Sequence, residues 1–170
     1  MRNRKYSRYD PGFGVRDPTF LIVAYTAGKY FVMSYRNLDI YKMSFKLFIE
    51  THKASLLLPK YELFELGSQL RRSSDSVVSN IVEGYGRSIY KKEYERFLVF
   101  SHSSNDETIV HLEKLILLYP DLKNNFVDLH FQYGLLGGKI NNYLKWVRQN
   151  WNNDLLKPDP KNPNHESETP

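Results

Sequence analysis

Four long stretches of this chain carry apolar residues at three- and four-residue steps, and short breaks at Pro59, Gly84–Gly86 and Pro120 separate them. That spacing sets one face of each stretch on a single side of an α-helix. The first predicted helix runs from about Leu38 to Leu57, with a stripe of Leu38, Tyr41, Phe45, Phe48, His52 and Ser55/Leu56. Asn37 is its expected N-cap and Pro59 its stop. The second runs from about Lys60 to Tyr85, with Leu63, Leu66, Leu70, Ser74, Val77, Ile81 and Tyr85 in line and Gly84 and Gly86 as the stop. The third begins after Ser88, an expected N-cap, and reaches Tyr119 along Tyr94, Phe97, Ser101, Ser104, Thr108, Leu112, Leu115 and Tyr119. The fourth opens at Asp121 and reaches Asn152 along Leu122, Phe126, Leu129, Tyr133, Leu136, Ile140, Tyr143/Leu144, Val147 and Trp151. Loops of a few residues force antiparallel neighbours, so the predicted fold is all-α, an up-and-down antiparallel four-helix bundle. Gly134, Gly137 and Gly138 fall inside the fourth helix, where each costs about 1 kcal/mol against alanine. They mark a bend or a tight contact with a neighbouring helix or subunit.

Of the 170 residues none is cysteine, which removes disulfides, thiolate metal sites and cysteine nucleophiles. That composition is compatible with a reducing cytoplasm, the expected compartment. The formal charge of +5 is unevenly spread. Residues 1–36 carry seven Lys/Arg against two Asp, residues 37–150 fifteen Lys/Arg against thirteen acids, and residues 151–170 two Lys against four acids. Overall basicity is therefore weak support for nucleic-acid binding by the bundle itself. The most apolar stretch, Phe20–Tyr35, is interrupted by Gly28 and Lys29 and is shorter than the roughly 20 residues of a spanning helix. Asp10, Pro11, Asp17 and Pro18 also part the basic start from that stretch, unlike a signal peptide. Residues 1–32 read as an extension outside the bundle: a marginal or disordered arm, a start-site artefact ahead of Met33, or a hairpin of Phe20–Tyr25 and Tyr30–Tyr35. The bundle then occupies residues 33–152, and the Pro-rich polar tail, residues 153–170, is expected to be disordered.

The motifs for chemistry are sparse. No Glu is followed by His three residues later, so a bundle di-metal site is not expected, nor is any cofactor. Gly137-Gly138-Lys139 lacks the earlier glycine and the following Ser/Thr of a phosphate loop. Arg96 and His102 have the spacing of the Arg-x4–6-His motif of HEPN-type ribonucleases, in which Arg holds phosphate and His moves a proton. The competing account is a surface arginine and a half-buried histidine. Arg71, Arg72, Arg87, Lys91, Lys92 and Arg96, interleaved with Tyr85, Tyr90 and Tyr94, suit a phosphate backbone with stacked bases. Glu83, Glu93 and Glu95 lie among them, and a salt-bridged solvated face fits equally well. Asn80, Glu83 and Glu107 border the apolar stripes and, if buried, need partners, for which Arg71 or Arg72 could serve.

Three segments carry a family resemblance. They are Tyr35-Arg36-Asn37-Leu38-Asp39-Ile40-Tyr41, the run from Ser68 to Arg87 with its Gln69-Leu70-Arg71-Arg72 and Asn80-Ile81-Val82-Glu83-Gly84 elements, and Lys92-Glu93-Tyr94 with Arg96-Phe97-Leu98, Ser104 and Glu107. Over residues 34–150 the chain resembles the four-helix bundle proteins encoded in intervening sequences of bacterial 23S rRNA genes. These are related to the accessory variability determinant of diversity-generating retroelements. The resemblance implies a homo-pentamer. Asn80, Glu83, Gly84, Ser104 and Glu107 are themselves read as structural or assembly residues, not as a catalytic set. In the retroelement relatives a basic surface binds nucleic acid and a reverse transcriptase. No catalytic residue carries over. The family often has Pro at the position of Val78, usually has Leu at that of Asn105, and starts near Met33.

The expectation is thus a non-enzymatic oligomeric bundle that partners itself and RNA or DNA. The alternatives are a protein–protein scaffold with no nucleic-acid role, and a ribonuclease using Arg96 and His102.

Overall fold

A computed structural model of the chain describes residues 34–151. The readings of residues 1–32 and of the tail lie outside the described residues. The four helices are α1 (Asp39–Ser55), α2 (Leu66–Gly86), α3 (Lys91–Leu118) and α4 (Asn124–Asn150). Single 3-10 turns, Tyr35–Asn37 and Pro120–Leu122, precede α1 and α4, and no strand occurs among the described residues. Each helix packs against two others, in the order α1, α2, α3, α4 and back to α1. The core is a continuous column that includes Leu70, Val77, Ile81, Tyr94, Leu98, Leu112, Leu115, Phe126, Tyr133, Leu136, Ile140 and Val147, each at most 1% exposed. The predicted stripes of the second, third and fourth helices supply most of it.

The predicted face of the first helix is corrected. α1 buries Ile40, Ser44, Leu47, Thr51 and Ser55, while Phe45 is 47% and Leu56 57% exposed. The sequence holds two interleaved stripes about 100° apart, and the one with more hydroxyls turned inward. Its hydroxyls are satisfied there. Ser44 and Ser55 donate to the carbonyls of Tyr41 and His52 at 3.0 and 2.7 Å, and Thr51 shares a 3.0 Å bond with the Tyr133 hydroxyl. Small side chains let α1 approach its neighbours closely, and satisfied hydroxyls carry little desolvation cost.

Several boundaries also move. α1 ends at Ser55, ahead of Pro59, and Leu38 takes the N-cap position expected of Asn37. α2 starts at Leu66 and not near Lys60, because Pro59–Glu65 forms turns. The Glu62 carboxylate accepts from the Leu66 N–H at 3.2 Å and from the Tyr119 hydroxyl at 2.8 Å, which ties this loop to the α3–α4 turn. Tyr90, not Ser88, precedes α3, without a side-chain cap bond. α4 starts at Asn124, after the 3-10 turn that contains Asp121. α2 runs unbroken through Val78 and Gly84. Gly84 is a crossing point: a Cβ there would lie 2.8 Å from the Phe97 Cβ. Gly137 plays the same part on α4, where a Cβ would lie 2.8 Å from the Asn105 amide nitrogen.

The buried tyrosines make stability pH-dependent at the alkaline end. Burial pushes Tyr133 up to about 12 against the lowering bonds from Thr51 and Ser74. Burial pushes Tyr143 up to about 12 as well, and its 2.9 Å partner Tyr94 lies well above the usual range, chiefly through burial. An unfolded tyrosine ionises near 10, so the folded value is the higher one. The stability these rings contribute is therefore fully present below about pH 10 and is lost as pH rises towards 12. Tyr133 and Tyr143 should each account for on the order of 2–3 kcal/mol of that loss. Tyrosinate absorbance and helical circular dichroism followed together in an alkaline titration should change together; complete ionisation near pH 10 with helicity intact would contradict the burial argument.

Candidate nucleic-acid interface

The antiparallel order of the helices brings the C-terminus of α2, the N-terminus of α3 and the C-terminus of α4 to one end of the bundle. Arg87, Lys91, Lys92 and Arg96 gather there. Arg87 lies 2.9 Å from Glu83 and 4.0 Å from Glu93, Arg96 3.6 Å from Glu93, and Lys91 3.9 Å from Glu95. Lys92 is exposed and makes no ion pair among the described residues. Exposed pairs of this kind contribute about 0–1 kcal/mol each, so they do not hold their cations against a phosphate. The guanidiniums of Arg87 and Arg96 sit over the Phe97 and Phe100 rings, 5.0 and 5.3 Å from the centroids. The two rings meet edge to face at 5.8 Å.

Of the interleaved tyrosines, Tyr90 is exposed, Tyr85 is half-buried and Tyr94 is a core residue. Phe97 and Phe100 take the place next to the cations. Sequence reasoning also passed over Arg148. Its Nε donates to the Glu95 carboxylate at 3.2 Å, and its carbonyl accepts from the Lys91 ammonium at 3.0 Å. The antiparallel pairing of the third and fourth helices was the signal for it.

Arg71 and Arg72 do not join this cluster. They lie 15 and more residues earlier on α2, about 22 Å along its axis. Arg72 is exposed and makes no ion pair among the described residues. Arg71 is half-buried: Nη1 donates to Ser55 Oγ at 3.0 Å and Nη2 to the Leu63 carbonyl at 2.6 Å.

The expected polar network around Asn80, Glu83 and Glu107 is corrected. Glu83 and Glu107 are exposed, with Glu83 bound to Arg87 and Glu107 3.4 Å from His111, and neither arginine 71 nor 72 serves them. Asn80 donates to the carbonyl and hydroxyl of Ser76, at 2.8 and 3.0 Å. What crosses between α2 and α3 is a ladder of hydroxyls. Ser76 meets Ser104 at 2.9 Å, Thr108 donates to Ser73 at 2.9 Å, and Ser101 donates to the Val77 carbonyl at 2.9 Å.

Arg96 and His102 point apart. Six residues of helix separate them by about 9 Å along the axis and about 120° around it. Arg96 faces Phe100 and Glu93, while the His102 Nδ1 lies 3.2 Å from Asp106 on the side of α3 next to Gly137. Within one chain the two do not meet on a common phosphate. Among the described residues no three of His, Asp and Glu converge as a metal site. An open groove of about 500 Å³ between α1 and α4 is lined by Lys42, Lys46 and Lys139 with Asp39, Glu50 and Asp128, and so carries charge of both signs. No helix among the described residues is long and apolar enough to cross a membrane.

These features define an all-α bundle protein with a basic, aromatic-bearing end. The family model described as 23S rRNA-intervening sequence protein matches residues 36–135, and the chain belongs to that family. No curated protein matches it.

Proposed function

We propose that this protein is a non-enzymatic, homo-oligomeric bundle that acts in the cytoplasm and binds structured RNA through the α2–α3 end. The observation that carries the reading is the pairing of Arg87 and Arg96 with the Phe97 and Phe100 rings beside the unpaired Lys92. Cations there neutralise phosphates, and the rings beneath them seat the guanidiniums, whose planes can in turn stack on unpaired bases. Membership of a family named for sequences within rRNA genes agrees with an RNA ligand. The pentamer is carried over from the family resemblance. Arg96 and His102 face different sides of α3, so the reading gives them no shared chemical step.

A salt series tests the proposal. Binding of a fluorescent structured RNA should weaken steeply with salt, by a log–log slope of about −3 if four cations meet phosphates. Arg87→Glu with Lys92→Glu should lower affinity by more than about tenfold and flatten that slope. Affinity that is flat with salt, or untouched by the double reversal, would sink the reading; equal affinity for duplex DNA would replace RNA by nucleic acid in general.

A further inference from the structure

The end of the bundle opposite the basic one is apolar. It is built from the α1–α2 loop and the last turn of α3, which the Tyr61 and Tyr119 hydroxyls join at 3.3 Å and the Glu62 carboxylate joins by accepting from Tyr119 at 2.8 Å. Leu57, Tyr61 and Phe64 of the loop are 54%, 66% and 81% exposed, and Leu117 and Leu118 of α3 are 79% and 61% exposed. The inward apolar contacts of the loop are made by Leu58 and Leu63 instead. The loop that carries Phe64 is nonetheless pinned on both sides of it. Arg71 donates to the Leu63 carbonyl at 2.6 Å, and Glu62 accepts from the Leu66 N–H at 3.2 Å. An apolar tip held in position ahead of any contact lowers the ordering cost of docking.

Area and charge together point to what covers this end. At the exposures above, two rings and three leucines show roughly 600 Å² of mostly apolar surface. That is the upper limit for a patch on an ordinary monomer and, with its margin, comparable to the ~800 Å² per partner of a standard specific interface. The margin carries Lys60 and Lys123 against Glu65 and Asp121, all exposed and none in an ion pair among the described residues. Balanced in sign, it offers no net attraction to an anionic lipid or a polyphosphate. Turned about a two-fold axis, it sets cations against acids and complements itself. The other end, with Arg87, Lys91, Lys92, Arg96 and Arg148 against Glu83, Glu93 and Glu95, has an excess of cations and repels its own copy.

We infer that two copies join tail to tail through this apolar end, Phe64 and Leu117 of each against the same surface of the other. The contact is isologous and leaves the basic ends facing outward at the two extremes. It goes beyond the homo-oligomer reading above, because it adds a contact along the bundle axis to whatever number of copies stands side by side. Being apolar, it should persist in high salt, where phosphate contacts at the basic ends are screened.

Light scattering of the purified chain tests it. Phe64→Glu with Leu117→Glu puts charge into the contact on side chains that face water in their own chain, so circular dichroism should show the helices intact. The variant should have half the mass of the unaltered protein, in high salt as in low. Phe64→Ser alone should raise the concentration at which the mass halves by about tenfold or more. Lys92→Glu, at the basic end, should keep the full mass. A Phe64→Glu, Leu117→Glu form that keeps the unaltered mass would overturn the tail-to-tail contact while leaving the oligomer standing. A fall to one chain from more than two would do the same, since it would make this end a side-by-side surface. An unhalved mass together with co-sedimentation of the unaltered protein on phosphatidylcholine vesicles, lost in the same variant, would assign the surface to a lipid. An unaltered protein that is itself a single chain would overturn both readings.

Discussion

Asn105→Asp should destabilise this protein strongly at neutral pH and spare it in acid. Asn105 is fully buried. Its amide nitrogen donates to the Tyr133 carbonyl at 3.1 Å, and its Oδ1 is buried without a partner. Gly137 lies so close that a Cβ on it would come within 2.8 Å of the amide. Aspartate keeps the shape, removes the donor and turns a second oxygen towards the Tyr133 carbonyl. An uncompensated buried charge costs about 3–5 kcal/mol, a large part of a small domain's stability. Protonated, the same side chain can donate to that carbonyl again. Its folded pKa must therefore stand above the unfolded value of about 3.9. The sign follows: the variant is nearly as stable as its parent below about pH 4, and loses about 1.4 kcal/mol per pH unit as pH rises to the folded pKa. Urea midpoints of both proteins across pH 4–8 measure this, and a stability gap that is the same at both ends would refute it. Asn105→Leu is the companion. It keeps the branched outline, removes the orphaned oxygen and restores the residue that the family resemblance gives at this position. It should be neutral or stabilising, by up to about 1–3 kcal/mol if the packing holds.

Asn105 also marks where the sequence was readable and where it was not. Periodicity alone identified four helices, their order and three of the four buried faces, because Phe126 to Val147 and Leu70 to Ile81 each offer a single stripe that an aqueous helix must hide. It failed on α1 because that helix has two stripes. Hydrophobicity favours Tyr41, Phe45, Phe48 and Leu56, while close packing favours Ile40, Ser44, Leu47, Thr51 and Ser55. The choice depends on the shape of neighbours, and a one-dimensional pattern does not carry shape. The start of α2 was missed for a related reason. Leu63 and Leu66 keep helical spacing, but the break between them comes from Glu62 and Arg71 bonding across the loop. At the basic end the sequence supplied the cations and their acids, but not the rings beside them. Arg87 meets Phe97 ten residues later by way of the α2–α3 turn.

The two ends of α2 should answer differently to the loss of an arginine. Arg71 spends its guanidinium inside the protein, bridging Ser55 at the end of α1 and the Leu63 carbonyl in the loop. Hydrogen bonds from a charged donor contribute about 1.5–3 kcal/mol each, and the guanidinium also lies beside Gly67, whose added Cβ would lie 3.4 Å from Nη1. Arg71→Ala should therefore cost about 2–4 kcal/mol and lower the melting temperature by many degrees. Arg71→Lys should recover only part, since one ammonium cannot span both acceptors in the geometry of a planar fork. Arg87 is exposed, and its ion pair with Glu83 and its seat over Phe97 contribute little to folding, so Arg87→Ala should stay within about 1 kcal/mol of the parent. RNA binding should invert the order. Below the melting point of the weaker variant, Arg71→Ala should bind with an unchanged salt slope, because the Arg71 donors are spent on Ser55 and Leu63 and the side chain lies far along α2 from the α2–α3 end. Arg87→Ala should bind more weakly with a slope shallower by about one phosphate. A melting temperature unchanged by Arg71→Ala would refute the bridging role. A folded Arg71→Ala that loses as much affinity as Arg87→Ala would return Arg71 to the binding surface and show that the two ends of α2 act on the ligand together.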